Sequence, residues 1–184
     1  MKPKVFFSRE EMSQLNTERL LERGVTIEEI AKIAFKQQSR YNDNISMKLC
    51  IESVQKILSY RDIFHIVQLG IEIDRLTEEG KFRSPIQDIM RSDLGMFGID
   101  EIFGLDVASY YGVIGQTNFG DIDVNKPGIV GKLNEDGKGE KCHTFLDDIV
   151  GAIAAAASTR VAQIISEEEA AKDTHFTQGK LDLK

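Results

Sequence analysis

Acidic residues recur in pairs at three places in the second half of the chain. The pairs are Asp100 with Glu101, Asp121 with Asp123, and Asp147 with Asp148. Two of the pairs begin apolar runs, and the third lies in the polar stretch between those runs, so a hairpin-like return of the chain would bring all three together. Carboxylates held that close repel one another unless a cation lies between them, and oxygen ligands suit Mg²⁺.

A lysine accompanies these acids. Lys126 follows Asp123 by three residues and could face a phosphate as a point charge. Mg²⁺ is usually held by one or two carboxylates together with a substrate phosphate. This combination favours metal-assisted hydrolysis of a phosphate ester. His143, beside the last acidic pair, is a candidate general acid, although a residue that merely enters a helix accounts for it as well.

The same acids also have a purely structural explanation. Carboxylates stabilise the positive end of the helix dipole and are therefore common at helix starts. Under this alternative each pair only caps or begins its helix, and Lys126 is a solvated surface lysine. Residue spacing alone leaves both explanations open.

The stretch from Cys142 to Ser158 predicts the element that organises the rest of the chain. It is rich in alanine, and from Phe145 onward it has almost no polar face, as in a buried helix. Thr144 is the predicted N-cap, with Asp147 in a capping-box position. The apolar run is shorter than the ~20 residues that cross a bilayer. We therefore predict an all-α, multi-helix bundle around a central helix at about 145–160.

Helix start and stop signals divide the amino-terminal half. Ser8 and Thr26 are predicted N-caps, the second with Glu29 in a capping box, and Gly24 is predicted to end the first helix. Further helices are predicted from Ser46 onward. Such short helices could also form a helix-turn-helix DNA reader, but the segment is not basic, so ordinary bundle packing is preferred.

The segment between the two apolar runs is predicted to be irregular. Residues 98–115 are predicted to form a helix, in which Gly104 and Gly112 indicate close approach of another helix or a ligand. Residues 116–141 are rich in glycine and polar side chains, which predicts a long functional loop. Residues 1–170 are predicted to form a single all-α domain, followed by a polar, flexible tail at 171–184.

Composition narrows the choice of partners and compartment. The 184 residues carry a formal net charge of −7, which argues against nucleic-acid binding. No apolar run is long enough to predict a transmembrane span, and the amino-terminal residues do not resemble a signal peptide. Cys50 and Cys142 match no metal-ligand spacing, which favours a reduced, cytoplasmic compartment.

Three motifs resemble those of the phosphatidylglycerophosphatase A family, in its soluble Gram-positive branch. IDEIFG resembles the WDE-like step before an apolar helix, and DVNKP resembles the D-x-x-K-P element. GKGEKCHTFLDDIVGAI resembles the glycine-rich lead into a helix that begins with two aspartates. Their order and spacing agree over residues 99–160, about a third of the chain.

The resemblance implies Mg²⁺-dependent removal of the terminal phosphate from phosphatidylglycerophosphate or a related phosphate monoester. It implies five catalytic residues, namely Glu101, Asp123, Lys126, Asp147 and Asp148. The four acids among them are the implied metal ligands, and Asp100 and Asp121 are weaker members of the set. The implied partner is a lipid headgroup, reached by a cytoplasmic protein at the periphery of the membrane.

The chain departs from the membrane-bound members of that family. It lacks their G-S-G-x-S-P-x-x-P-G-T motif and their membrane-spanning character, and Gly120 replaces the arginine that precedes the D-x-x-K-P element. Two other functions therefore remain alternatives. A helical nucleotide pyrophosphohydrolase also clusters acids, although its E-x-x-E and E-x-x-D pairs are not evident here. A non-enzymatic interaction or regulatory module would use the alanines at 154–157 to pack as a homo-oligomer.

Overall fold

The computed structural model of the chain describes residues 3–137 and 139–172. Within this part of the chain there are nine helices and no strand, which confirms the predicted all-α bundle. The helices are α1 (Arg9–Glu22), α2 (Ile27–Gln38), α3 (Met47–Leu58), α4 (Arg61–Glu78), α5 (Ile86–Arg91), α6 (Ile99–Ser109), α7 (Gly112–Asn125), α8 (Ile129–Asp136) and α9 (Leu146–Lys172). Most of the predicted flexible tail, from residue 173 onward, lies outside the described residues.

Helix α9 forms the centre of the bundle. Helices α2, α3, α4, α6, α7 and α8 all pack against it, and every residue from Leu146 to Thr159 is buried. By length and mean hydropathy (1.5 over 18 residues) α9 resembles a membrane span, but 67% of that window is buried inside the protein. Burial on all sides by neighbouring helices is the pattern of a core helix. The predicted central helix is confirmed, and it extends beyond residue 160.

The predicted helix boundaries near the amino terminus are confirmed. The Ser8 side chain accepts a hydrogen bond from the Glu11 backbone N–H, and Thr26 accepts one from the Glu29 backbone N–H. Each glutamate bonds back to the backbone N–H of its cap, so both helices begin with capping boxes. Gly24 follows α1 with a φ of 80°, a left-handed conformation that glycine adopts readily.

The region predicted as a loop at 116–141 is mostly helical, so this prediction was wrong. Helix α7 runs through its first half, and α8 follows after a short turn. The small and polar residues of α7 give it almost no apolar stripe, and packing against α6 and α9 stabilises it instead. The sequence of α7 therefore has too little helical periodicity to predict this helix.

Glycine is favoured at two positions of this region for different structural reasons. A Cβ at Gly104 would clash with the Phe119 ring of α7, so the predicted close helix approach is confirmed there. Gly112 has no atom within 4 Å of such a Cβ, and its φ of 67° is what favours glycine. It marks the break between α6 and α7, where the sequence predicted one continuous helix.

Candidate metal centre

An acidic cavity of about 180 Å³ lies where α6, the end of α7 and the start of α9 meet. All five site residues predicted from the sequence line this cavity: Glu101, Asp123, Lys126, Asp147 and Asp148. Asp100 lines it as well. Residues from three separate stretches of the chain thus converge on one small space.

Lys126 is the cation of this cluster. Its Nζ lies 2.7 Å from Asp123 Oδ1, 3.0 Å from Asp147 Oδ2 and 3.5 Å from Asp148 Oδ1. Lys126 is the C-cap of α7 and has a left-handed backbone, with φ 41° and ψ 56°. That conformation is uncommon for a residue with a β carbon, and it ends α7 beside the first turn of α9.

Three of the lining acids form a group that could hold a metal ion. One carboxylate oxygen each from Asp100, Glu101 and Asp148 lies within 4.8 Å of the other two. Glu101 Oε2 is buried and has no hydrogen-bond partner among the described residues. A buried carboxylate oxygen without a partner is costly, and a cation would compensate it. A donor set made only of oxygens fits a hard divalent cation.

The four acids predicted as ligands therefore divide into two groups. Glu101 and Asp148 belong to the group that could hold a metal ion, in which Asp100 is the third member. Asp123 and Asp147 instead make the shortest contacts with Lys126. Asp100 was only a weaker candidate from the sequence, because the family resemblance pointed by position to its neighbour Glu101.

Burial changes the ionisation of these carboxyls. Burial raises the pKa of Asp148 to about 9; the charge of Asp147 adds to this shift and Lys126 opposes it. Burial likewise raises the pKa of Asp100 to about 8, with a hydrogen bond and the charge of Glu101 adding to the shift. Burial raises the pKa of Asp147 only to about 6, because Lys126 opposes it. At pH 7 a divalent cation would thus displace protons from Asp100 and Asp148.

The start of α9 is held by a residue that sequence reasoning missed. Asp74 of α4 is fully buried and accepts hydrogen bonds from the backbone N–H groups of Phe145 (3.1 Å) and Leu146 (3.0 Å). Thr144, the predicted N-cap, instead donates its hydroxyl to the Met90 carbonyl at 2.7 Å. The N-cap prediction was wrong because a side chain from another helix satisfies these free N–H groups. Asp74 thereby fixes the turn that carries the aspartate pair of α9.

An ion pair between α4 and the residue after α1 holds the segment that leads into α9. Arg23 Nη2 lies 2.6 Å from Glu78 Oε1, and each side chain also bonds to the Cys142 backbone at 2.7 Å. His143 Nδ1 lies 3.2 Å from Arg23 Nη2. Burial and the Arg23 charge lower the pKa of His143 to about 4, so the ring is neutral at pH 7. His143 is not part of the cavity lining, and the structure gives its role as a general acid no support.

Among the lining residues that were not predicted, Asp93 and Asn134 carry polar side chains. Asp93 lies in the turn after α5 with a φ of 48°, a conformation that aspartate tolerates better than most residues. Asn134 comes from α8, which the sequence did not predict as a helix. The sequence did hold one indication of Asp93, because the aspartate and glycine of Asp93-Leu94-Gly95 are residues that favour a turn.

Asp121 lies apart from the acidic cavity. Its Oδ2 is 3.3 Å from Arg40 Nη1 and accepts a hydrogen bond from Gln37 Nε2 at 3.4 Å. These contacts join α7 to α2, which contains Gln37, and to Arg40 just after the carboxyl end of α2. The third acidic pair is therefore split, with only Asp123 at the candidate metal centre.

Comparison with known proteins places the chain among related structures and a family. A protein of unknown function from Bacillus stearothermophilus is 47% identical, with a TM-score of 0.80 over 83% of this chain and 99% of that one. The low temperature requirement C protein from Listeria monocytogenes is 42% identical, with a TM-score of 0.81 over 84% of this chain and 97% of that one. A protein of Bacillus subtilis (strain 168), described as "Uncharacterized protein YpjQ", is 42% identical over 170 residues, which are 91% of this chain and 95% of that protein.

The family match covers the whole candidate metal centre. The model of the family named phosphatidylglycerophosphatase A matches residues 30–163, a range that contains every residue lining the acidic cavity. The chain therefore belongs to the phosphatidylglycerophosphatase A family.

Proposed function

We propose that this protein is a Mg²⁺-dependent phosphatase that hydrolyses phosphatidylglycerophosphate or a closely related phosphate monoester. The observation that carries the proposal is the convergence of four acids and Lys126, from three stretches of the chain, on one cavity. Family membership supports phosphatase chemistry, and the oxygen-only donor set supports Mg²⁺. The site would lie in a cytoplasmic protein that works at the surface of the membrane.

Different residues of the acidic cavity would have different roles in the reaction. Asp100, Glu101 and Asp148 would hold the cation, and bound Mg²⁺ would polarise the phosphoryl group and lower the pKa of a water molecule. Lys126 would attract a phosphate oxygen as a point charge, while Asp123 and Asp147 hold its ammonium in place. Asp74 of α4, which caps α9, would keep the first turn of α9 rigid.

The size of the acidic cavity supports entry of the phosphate end of a larger substrate. At about 180 Å³ it is smaller than the ~300–1,000 Å³ of pockets that enclose whole drug-sized ligands. A terminal phosphate could enter while the rest of the molecule stays outside. This arrangement suits a monoester at the end of a lipid headgroup.

Exposed apolar side chains beside the cavity support a lipid substrate. Leu94 lines the cavity and is 50% exposed, and Met96, two residues further on, is 91% exposed. Ile99 and Ile102, on either side of the acidic pair of α6, are 44% and 56% exposed. Exposed apolar side chains close to a polar cavity suit contact with the apolar part of a lipid. They would let a chain of net charge −7 approach a lipid despite its charge.

Phosphate release from phosphatidylglycerophosphate, measured with Mg²⁺ and with EDTA, tests the proposal. We expect Mg²⁺-dependent release that falls at least about 10²-fold in Asp148→Asn. Asp106→Asn is the matched control, because Asp106 is an exposed acid of α6 that does not line the cavity. Absence of release from any phosphate monoester, or full activity in Asp148→Asn, would overturn the proposal. Nucleoside triphosphates in the same assay test the pyrophosphohydrolase alternative.

A further inference from the structure

A second cavity, of about 550 Å³, lies between α2, α7 and α8. It is on a different side of α7 from the acidic cavity, and the two share no lining residue. We call it the basic cavity, after the four cations that line it: Lys32, Lys36, Arg40 and Lys132. The phosphatase proposal assigns it no role.

The charge of the basic cavity is unusual for this chain. Its two carboxylates, Glu29 and Asp121, are already engaged, the first in the capping box of α2 and the second with Arg40. The three lysines have no ion-pair partner within 3–137 and 139–172. The four cations and two carboxylates of the lining still leave this concave surface with a formal charge of +2, in a protein of net charge −7. Such a surface attracts an anion, and phosphate oxygens are suitable partners for ammonium groups.

A buried amide adds a second, independent feature. Gln37 lines the basic cavity and is only 5% exposed. Its Nε2 donates to the Asn118 carbonyl at 3.2 Å and to Asp121 Oδ2 at 3.4 Å, which fixes the orientation of the amide. Its Oε1 is buried and has no hydrogen-bond partner among the residues that the structure describes. A buried acceptor without a donor is costly, and a ligand hydroxyl would provide that donor once a small rotation of the amide exposes Oε1 to the cavity.

The base of the basic cavity is apolar. Ile33, Ile122 and Ile129 line it and are buried, and Pro127 lies beside them. The cavity therefore combines ammonium groups, one unpaired acceptor and an apolar base, which is the usual composition of a small-molecule site. Its volume falls within the ~300–1,000 Å³ range of such sites.

We propose that the basic cavity binds a phosphate ester whose organic part carries a hydroxyl group. The phosphate contacts Lys32, Lys36 and Lys132, the hydroxyl donates to Gln37, and the carbon skeleton packs on the isoleucines. A lipid headgroup and a soluble polyol phosphate share this chemistry. The proposal does not rest on the phosphatase activity, because the two cavities have no lining residue in common.

Calorimetric titration in EDTA tests this site without any contribution from a bound metal. The probes are sn-glycerol 3-phosphate, inorganic phosphate, and vesicles of phosphatidylglycerol compared with vesicles of phosphatidylcholine. We expect Lys32→Ser with Lys36→Ser to weaken binding of the anionic probes by about tenfold or more. Gln37→Leu should weaken glycerol 3-phosphate binding more than inorganic phosphate binding, because the glycerol hydroxyls provide the proposed donor.

A matched control is Lys48→Ser with Lys81→Ser, which removes the same charge from exposed positions outside the cavity. It should leave binding unchanged. Binding to phosphatidylglycerol vesicles alone supports a lipid headgroup as the ligand, and binding of glycerol 3-phosphate alone supports a soluble ester. Absence of binding to every probe, or equal affinity in the wild type and the Lys32/Lys36 double variant, overturns the proposal.

Discussion

The ammonium group of Lys126 lies 3.0 Å from the carboxylate of Asp147, although 21 positions separate the two residues in the chain. This contact joins the end of α7 to the first turn of α9. It also places a positive charge among buried carboxylates, where it opposes the rise in the pKa of Asp147 and Asp148 that burial causes. The electrostatics of the acidic cavity depend on this one lysine.

Replacing Lys126 by methionine should remove most of the activity while the fold is retained. Methionine keeps an apolar side chain of similar length but cannot attract a phosphate oxygen. We expect a loss of about 10²-fold in kcat for phosphate release, with an unchanged far-UV circular dichroism spectrum. Lys81→Met, at an exposed lysine outside the cavity, is the control. Activity of Lys126→Met within about twofold of wild type would contradict a role of its charge in the reaction.

In EDTA, the melting temperature should fall as the pH rises from 6 to 9. Burial raises the pKa of Asp100 to about 8 and that of Asp148 to about 9, from an ordinary value of 3.8. The folded state therefore binds more protons than the unfolded state across this range, so raising the pH removes stability. Mg²⁺ should restore part of it, and its stabilising effect should be larger at pH 9 than at pH 6. Thermal melts at both pH values, with EDTA and with Mg²⁺, measure this.

The variant Asp148→Asn serves as the control for that pH dependence. Because it removes one of the titrating groups, its melting temperature in EDTA should fall less between pH 6 and pH 9 than that of the wild type. A Mg²⁺-induced shift of equal size at both pH values in the wild type would show that protons and metal do not compete at these carboxyls.

Replacing Asp74 by asparagine should destabilise the bundle. Both oxygens of the buried carboxylate accept backbone N–H groups at the start of α9, and asparagine offers only one oxygen. We expect a loss of about 1–3 kcal/mol in the free energy of unfolding, measured by urea denaturation. Asp88→Asn, at an exposed acid of α5, should change it by less than about 0.5 kcal/mol. Equal stability of the two variants would exclude Asp74 as the cap of α9.

Two glycine-to-alanine substitutions should have opposite effects. Gly104→Ala places a methyl group against the Phe119 ring and should destabilise the α6–α7 packing by about 1–3 kcal/mol. Gly120→Ala, in helix α7, meets no atom within 4 Å and should stabilise by about 0.5–1 kcal/mol. Urea denaturation of both variants tests this. A stabilising effect of Gly104→Ala would mean that α6 and α7 separate more easily than their contact indicates.

Sequence reasoning succeeded where the cause of a feature lies in neighbouring residues. The capping boxes at Ser8 and Thr26 depend on a glutamate three positions further on, and both were predicted. The central helix was predicted because its apolar residues leave no polar face. The convergence of the acids was also predicted, from a hairpin-like return between the two apolar runs, and it holds for every member of the three pairs except Asp121.

Features that depend on distant contacts were not predictable from the sequence. Asp74 looks like an ordinary helix acid, and only the packing of α4 on α9 turns it into a cap. Helix α7 has no amphipathic pattern, so its existence follows from packing rather than from periodicity. The separation of Asp121 from Asp123 follows from that missed helix, because two positions that are two residues apart point to nearly opposite sides of a helix.

Lysine is an unfavourable residue for the backbone conformation that it adopts at position 126. With φ 41° and ψ 56°, a residue with a β carbon is less stable than glycine by roughly 1 kcal/mol. Backbone stability alone favours glycine here, whereas the contacts of the ammonium group with Asp123 and Asp147 require lysine. A glycine variant would relax this turn and lack the ammonium group, and under the proposed function it would bind metal without turning over substrate, which suits it to trapping an unconverted ligand for crystallography.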